Sequence, residues 1–469
     1  MKKIINTEKG SVTPALLVII GALVVVIYGM LLMLSLQLEY SHRQLAREEA
    51  LNIAEAGVNY YRWHLAHDPA DFTDGTGAPG PYVHTFNDSE GGDLGVFSLE
   101  ITPPSSGSSI VSIKSTGWTN QFPSIKRTIT AEYGIQSLAR FSFLQNASNW
   151  YGEGTTVNGQ IHSNNGIRMD GINTSLVTSA REDYMCGSET GCHPPQNMPG
   201  IWGSGPNYDL WDFPSPAIDF DSISFDFNIM MQDALDNGLY LDDSGDDGYH
   251  IIFNSNGTFD VYLVERTSFL RGYSVPGQGL GEEGAGGCRR LYQVIEDESL
   301  IGTYNVSDVP ILFAEDTLWV EGTVRGRISV VSAAFPIVSS DVDIWIPDSI
   351  NYTTHNGSDI LGLISQNNVF IARDVPEDLN IDAVLIAKNG KIIRHGYFNW
   401  CGGTTGAVKQ SLTINGSVIS YFKSYWNYGD APDSGFLNRT INYDGNALLN
   451  PPPYFPTSGG YEFISWKED

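Results

Sequence analysis

From Gly10 to Leu38 the chain carries no charged residue, and Ala15–Leu34 is apolar almost without a break. About 20 apolar residues in a helix cross the hydrocarbon core of a bilayer, so residues 12–38 are predicted as a transmembrane helix. Lys2, Lys3 and Lys9 precede the span, which places a short leader, residues 1–11, in the cytoplasm and the rest of the chain outside. Leu36-Gln-Leu-Glu-Tyr40 follows in place of the small residues of a signal-peptide cleavage site, so the segment reads as a retained anchor. The helical pattern then continues through an extension over residues 39–67. Ala50, Ile53, Ala54, Gly57, Val58, Tyr61 and Leu65 recur at spacings of three and four and build one apolar face. Asp68-Pro69 ends the run. One helix from Val12 to His64 is roughly 80 Å long at about 1.5 Å per residue.

Beyond the helix the period changes to two. Residues 68–92, rich in Gly, Asp and Pro, read as a loop. Gly95–Ile101, Ser109–Thr116 and Arg127–Tyr133 then alternate apolar and polar residues, as half-buried strands do. They predict a small antiparallel sheet on the apolar face of the helix, within residues 68–135. From about Tyr151 a short signature recurs, Val157-Asn-Gly-Gln-Ile161, Val320-Glu-Gly-Thr-Val324, Val324-Arg-Gly-Arg-Ile328 and Ile414-Asn-Gly-Ser-Val418, with further short strands at 342–346, 360–364, 369–371 and 383–386. Loosely repeated strands of this kind are what stacked coils produce. The prediction for residues 150–425 is a right-handed parallel β-helix-like solenoid, with a β-sandwich as the alternative. An insertion at about 180–310 carries a hairpin, Tyr249–Phe253 and Phe259–Val264, turning at an Asn-Gly pair. Residues 426–469, with Pro451–Pro456 and a closing strand at 461–466, are expected to cap the last coil.

Composition agrees with a mainly β protein: 50 Gly, 23 Pro and a 12% aromatic share supply turns and strand residues. The net charge of −28 lies almost wholly beyond residue 50, where 50 of the 54 acidic but only 21 of the 26 basic residues fall. So acidic a surface repels phosphate backbones, and nucleic acid is not an expected partner. Four cysteines, Cys186, Cys192, Cys288 and Cys401, suit an oxidising compartment. The first two are close enough to close a small loop, which leaves the others to pair across a long span, but all three connectivities remain open.

The basic start ending in Lys9-Gly10, the apolar span and Arg47-Glu-Glu-Ala-Leu-Asn-Ile-Ala-Glu-Ala-Gly-Val58 together resemble type IV pilin-like proteins. Ala54-Glu-Ala-Gly57 with its following aromatics, Gly117-Trp118 and Pro123 resemble the PilX-type minor pilins in particular. The resemblance covers about the first 135 residues and implies cleavage by a prepilin peptidase between Gly10 and Ser11. It also implies assembly with other pilin-like subunits through the helix. The chain departs from the major-pilin pattern at Ser11, where a Phe or Met is usual, and at Ala15, where a Glu is usual. Glu321–Gly326, Ile364–Asn368 and Pro451–Pro456 resemble ectodomains, without an assigned activity, that accompany PilX-type N-termini.

Candidate chemistry is sparse. There is no G-x-S-x-G elbow, P-loop or H-E-x-x-H, so the expectation is a non-enzymatic protein without a resident cofactor. Asp242, Asp243, Asp246 and Asp247 form an oxygen-rich turn that suits Ca²⁺, against the simpler reading of a solvated acidic turn. Nine N-x-S/T sequons, among them Asn173 and Asn415, suggest surface exposure only. Tyr421, Phe422, Tyr425, Trp426 and Tyr428 read either as a sugar-binding ledge or as core closing the solenoid. The expected function is a membrane-anchored pilus-like minor subunit. It displays the acidic ectodomain for adhesion to a surface or polysaccharide, or for filament assembly. The alternative is a membrane-tethered β-helical enzyme acting on extracellular polysaccharide.

Overall fold

A computed structural model describes residues 12–104, 109–220, 226–274, 287–336, 342–429, 433–455 and 457–468. The protein is mainly β, with one long N-terminal apolar helix and several sheets. The chain divides into two compact units. The first comprises Met1–Pro103, Val111–Tyr133 and Phe463–Asp469, and the second Pro104–Ile110 and Gly134–Glu462. The proposed cleavage position, Gly10 and Ser11, lies outside the described residues.

In the first unit, helix α1 (Val12–His67) runs 56 residues without interruption. Its only proline, Pro14, sits in the first turn, where no backbone donor is lost. The first half is exposed on every side and apolar enough, and long enough, to cross a membrane. The second half buries Ala46, Ala50, Ile53, Ala54, Gly57, Val58, Tyr61 and Leu65, the face that the helical period marks. That face lies on a five-stranded sheet formed by β1 (Tyr82–Asn87), β2 (Asp93–Thr102), β3 (Ile110–Thr119), β4 (Lys126–Ser137) and the C-terminal strand Thr457–Glu468, in that order. The pairs β1–β2 and β2–β3 are antiparallel. The helix approaches closely because two glycines leave room. A Cβ on Gly57 would stand 2.3 Å from Ser115 Oγ, and one on Gly117 would stand 2.4 Å from the Ala50 carbonyl oxygen.

Two features of this sheet differ from the sequence reading. Tyr82–Asn87 falls in the segment read as loop but pairs with β2, Tyr82 against Leu99 and Phe86 against Gly95. Its short alternation is masked by the Gly- and Asp-rich flanks. The closing strand, expected to cap the last coil, instead lies beside β4. Arg127 pairs with Glu468, the Ser465 hydroxyl donates to Glu132 at 2.8 Å, and Phe463 meets the Tyr133 ring edge-on at 5.8 Å. An uncovered β4 would present a row of unpaired backbone groups, and a strand with alternating residues satisfies them.

The second unit is built on parallel pairing. One ladder runs from Leu239–Leu241 through Ile311–Ala314, Arg327–Ser332, Ile360–Ser365 and Asp378–Ala387 to Val408–Ser420. It continues without a break into Phe143–Gln145, Ile161–Ser163, Val177–Ser179 and Trp211–Asp212. A second ladder passes from Gly248–Asn254 through Leu318–Val324, Ile350–Tyr352, Asp378–Ala387, Val408–Ser420 and Ser434–Asn442 to Thr155–Asn158. The order of strands is therefore not the order of the chain. The chain lays down residues 143–212 first, passes through helix α2 (Asp226–Asn237), and returns from the far end of the ladder. Val157, Ile161, Ile328, Leu363, Ile381, Leu385, Ile414 and Val418 are all buried in the shared core.

The segment read as an insertion at about 180–310 is partly ladder, since Leu239–Leu241 and Gly248–Asn254 belong to it. Gly248–Asn254 also forms the anticipated hairpin with Thr258–Tyr273, which in turn pairs antiparallel with Cys288–Asn305. Disulfides join Cys186 to Cys192 and Cys288 to Cys401.

Candidate ligand cleft

Three short parallel strands, Asn149–Tyr151, Ile167–Met169 and Ile201–Trp202, put Trp150, Arg168 and Trp202 in register. The Arg168 guanidinium consequently lies between two indoles, 4.1 Å from the Trp150 ring centre and 4.8 Å from that of Trp202. A planar, weakly hydrated cation is well suited to this position. Asp170 fixes the stack. It accepts from Arg168 Nε at 2.7 Å, from Trp150 Nε1 at 2.8 Å, and from the Ser204 backbone N–H and hydroxyl at 3.0 and 3.1 Å. Burial pushes this carboxyl up. The Ser204 and Trp150 hydrogen bonds and the Arg168 charge outweigh burial and hold it below the usual carboxylate range.

Trp150, Arg168 and Asp170 of this stack line a cleft of about 800 Å³. Lys423, Tyr425, Trp426, Tyr428, Tyr273 and Glu153 also line it, with Lys423 Nζ 5.8 Å from the Trp150 ring centre. The Cys186–Cys192 disulfide closes the loop that carries Glu189 and Thr190, and so helps position two carbonyls. Thr190 O accepts from Arg168 at 3.2 Å, and Glu189 O accepts from Lys423 Nζ. The Glu189 carboxylate turns back to the Gly187 N–H at 3.0 Å. Burial lowers the Lys423 ammonium to about 8, the Glu189 charge acting against this and the Arg168 charge with it. Trp426 is only 5% exposed, and its indole N–H has no acceptor among the described residues.

Behind the aromatic wall lies a second buried cation. Lys391 is fully buried, its Nζ 5.7 Å from the Tyr425 ring centre and without a hydrogen-bond partner among the described residues. Burial, and then the charges of Arg289 and Lys423, bring it down to about 7. His395 nearby is lowered to about 3, first by burial and then by Arg289, Lys391 and Arg394.

The five aromatics singled out in the sequence do not stay together. Tyr421 packs edge-on against Phe220 beside a buried cluster. Phe422 packs against Tyr421. Tyr425, Trp426 and Tyr428 line the cleft. Trp150, Arg168 and Trp202 are brought together only by strand register, and neither Asp170 nor Lys423 carries a local motif.

The acidic turn does not converge as drawn from the sequence. Asp242 accepts from the Asp243 N–H, Asp243 from the Gly245 N–H, and Asp247 from the Thr267 N–H and hydroxyl, while the Asp246 N–H donates to Ser244. Among the described residues no group of three or more His, Cys, Asp or Glu side chains is placed to hold a metal ion. Four of the nine sequon asparagines, Asn173, Asn305, Asn415 and Asn438, donate their side-chain amides to hydrogen bonds within the chain.

No family model matches the chain, and none of the curated proteins compared with it matches either. Among solved structures, the crystal structure of the competence-associated pilin ComZ from Thermus thermophilus aligns over 90% of this chain and 98% of that one. The identity is 12% and the TM-score 0.31, a likeness from which neither fold nor function is carried over.

Proposed function

We propose that this protein is a membrane-anchored, type IV pilin-like minor subunit, and that its second unit is an acidic β-solenoid displayed outside the cell to contact a surface or polysaccharide. The observation that carries the pilin part is the division of α1. One continuous helix has an exposed apolar half and a half packed on a small sheet. Such a helix enters lipid or a bundle of like helices while holding a folded head by its other end. The continuous parallel ladders support the solenoid part, since a coil that returns to the same edge pairs each strand with its counterpart in the next coil. The N-terminus lies in the cytoplasm in this reading, and adhesion proceeds through the cleft.

The deciding measurement is the mature N-terminus, read by mass spectrometry after co-expression with a prepilin peptidase. A start at Ser11 that a Gly10→Val variant abolishes is the expected result. An N-terminus still carrying Lys2 and Lys3 would leave a plain tethered surface protein.

The cleft also supports a second reading, an enzyme acting on extracellular polysaccharide, because Glu153, Asp170 and Glu189 line it beside Lys423. Two of these carboxylates are already engaged, Asp170 by Trp150, Arg168 and Ser204, and Glu189 by Gly187. That favours binding over catalysis. Release of shortened sugars from an incubated polysaccharide would reverse the preference.

A further inference from the structure

We propose that the cleft lined by Trp150, Arg168, Lys423, Tyr425 and Tyr428 binds a largely neutral glycan through one carboxylate-bearing sugar. Lys423 receives the carboxylate. The inference deepens the surface-contact reading and rests on it only for the place of encounter.

Three features carry it. The cleft volume, about 800 Å³, falls within the range of sites that enclose small organic ligands rather than single ions. Its walls present the rings of Tyr273, Tyr425 and Tyr428, and apolar ring faces match the C–H faces of pyranose sugars. Tyr428 is held for this purpose, its hydroxyl donating to the Tyr273 carbonyl at 3.0 Å while its ring meets Tyr425 edge-on at 5.6 Å.

The polar groups then select among sugars. An ammonium carries three donors, and Lys423 directs one to the Glu189 carbonyl. The remaining donors suit an anionic acceptor, which a partly desolvated cation binds in a charge-assisted hydrogen bond. Lys391, buried behind Tyr425, adds positive potential to the same wall below about pH 7, where it holds its proton. The net charge of −28 sets the limit. A polymer charged at every sugar would be repelled by the surface around the cleft, whereas a single acidic residue on a neutral chain meets the local cation without that cost.

The test uses the full chain in detergent micelles. It is titrated with oligosaccharides that each carry one uronic or sialic acid, and with the same compounds after reduction of the carboxyl to an alcohol. At least one acidic member is expected to bind, with its reduced form about tenfold weaker or more, as loss of a charge-assisted hydrogen bond implies. Lys423→Met should erase the preference for the acid. Tyr425→Ala, which removes a ring from the wall, should weaken both forms about tenfold. Disulfide mapping and a cooperative melt establish that each variant is folded. Absence of binding by every member, equal binding of acidic and reduced forms, or unchanged binding in the folded variants would overturn the proposal. Binding by a chain whose N-terminus is never processed would sink the pilin reading alone. Processing at Ser11 without glycan binding would sink this inference alone.

Discussion

The side-chain amide of Asn158 donates to the side-chain oxygen of Asn442 at 2.8 Å, across 284 residues of sequence. Asn442 donates in turn to Asn415 at 2.8 Å, and Asn415 to Asn380 and Asp382 at 3.1 and 2.7 Å. Asparagines on successive parallel strands thus form a continuous row, and that row joins the first strands of the second unit to the last. Asn442→Ala removes a donor and an acceptor at once and leaves Asn158 and Asn415 each short of a partner. Unfolding in urea should show a loss of about 1–3 kcal/mol. A loss near zero would mean that water replaces the row.

The signature glycine beside this row is required by its backbone. Gly416 has φ +152°, and a Cβ there would stand 2.0 Å from the Ala383 carbonyl oxygen of the neighbouring strand. Gly416→Ala should cost at least about 1–3 kcal/mol, the scale of backbone strain in a sparsely populated region. Gly445→Ala, whose nearest neighbour is 3.8 Å away, serves as the neutral comparison. Thermal melts of the two variants distinguish the positions.

Removing the two disulfides should have opposite emphases. Cys288 and Cys401 are 113 residues apart, and closing so long a loop stabilises by about 4–5 kcal/mol in the chain-entropy picture, against about 2 for a separation of 6. The Cys288→Ser, Cys401→Ser chain should therefore lose much of its melting temperature. The Cys186→Ser, Cys192→Ser chain should melt closer to the parent. It should bind any cleft ligand less well, because the loop that presents the Glu189 carbonyl to Lys423 is no longer closed.

Lys391 gives the second unit a pH dependence of stability with a definite sign. Its folded-state value of about 7 lies below that of an unfolded lysine, 10.5. Below about pH 7 both states hold the proton, and the folded state bears the cost of a buried charge. As pH rises from about 7 toward 10 the unfolded chain binds more protons than the folded one, so stability increases. Lys391→Met should be more stable than the parent at pH 6, and should show a flatter rise between pH 7 and 9. Equal slopes for the two proteins would mean that the Lys391 charge is solvated.

The helix was legible in the sequence because its signal is local. A period of three and four over Ala50–Leu65 needs no knowledge of what it packs against, and the same residues are buried. Strands such as Ile360–Ser365 and Val369–Ile371 were legible for the same reason, since a bounded apolar run marks a buried strand. Their partners were not. Parallel pairing is set by tertiary choice, so nothing near Phe143 announces that it continues the ladder from Val418. The cleft was only half visible. Tyr425, Trp426 and Tyr428 stand together in sequence, whereas Trp150, Arg168 and Trp202 meet only through the register of three strands.

The approach of α1 to its sheet gives the last prediction. Gly57 and Gly117 face each other's elements with no room for a side chain. A Cβ at Gly117 would stand 2.4 Å from the Ala50 carbonyl oxygen and 2.5 Å from the Ala54 nitrogen, both backbone atoms that cannot turn aside. Gly117→Val should therefore push helix and sheet apart, at a cost of about 1–3 kcal/mol or more from overpacking. The exposed apolar half, Val12–Leu38, makes no contribution to that contact, so the variant should still fractionate with membranes. Arg47 and Arg62 are exposed on the half that packs, and trypsin, which cuts locally unfolded backbone, should cleave there faster in the variant than in the parent. Loss of membrane association together with protease resistance would place the anchor somewhere other than the first half of α1. Retained association with unchanged digestion would show that the sheet absorbs a valine without moving the helix.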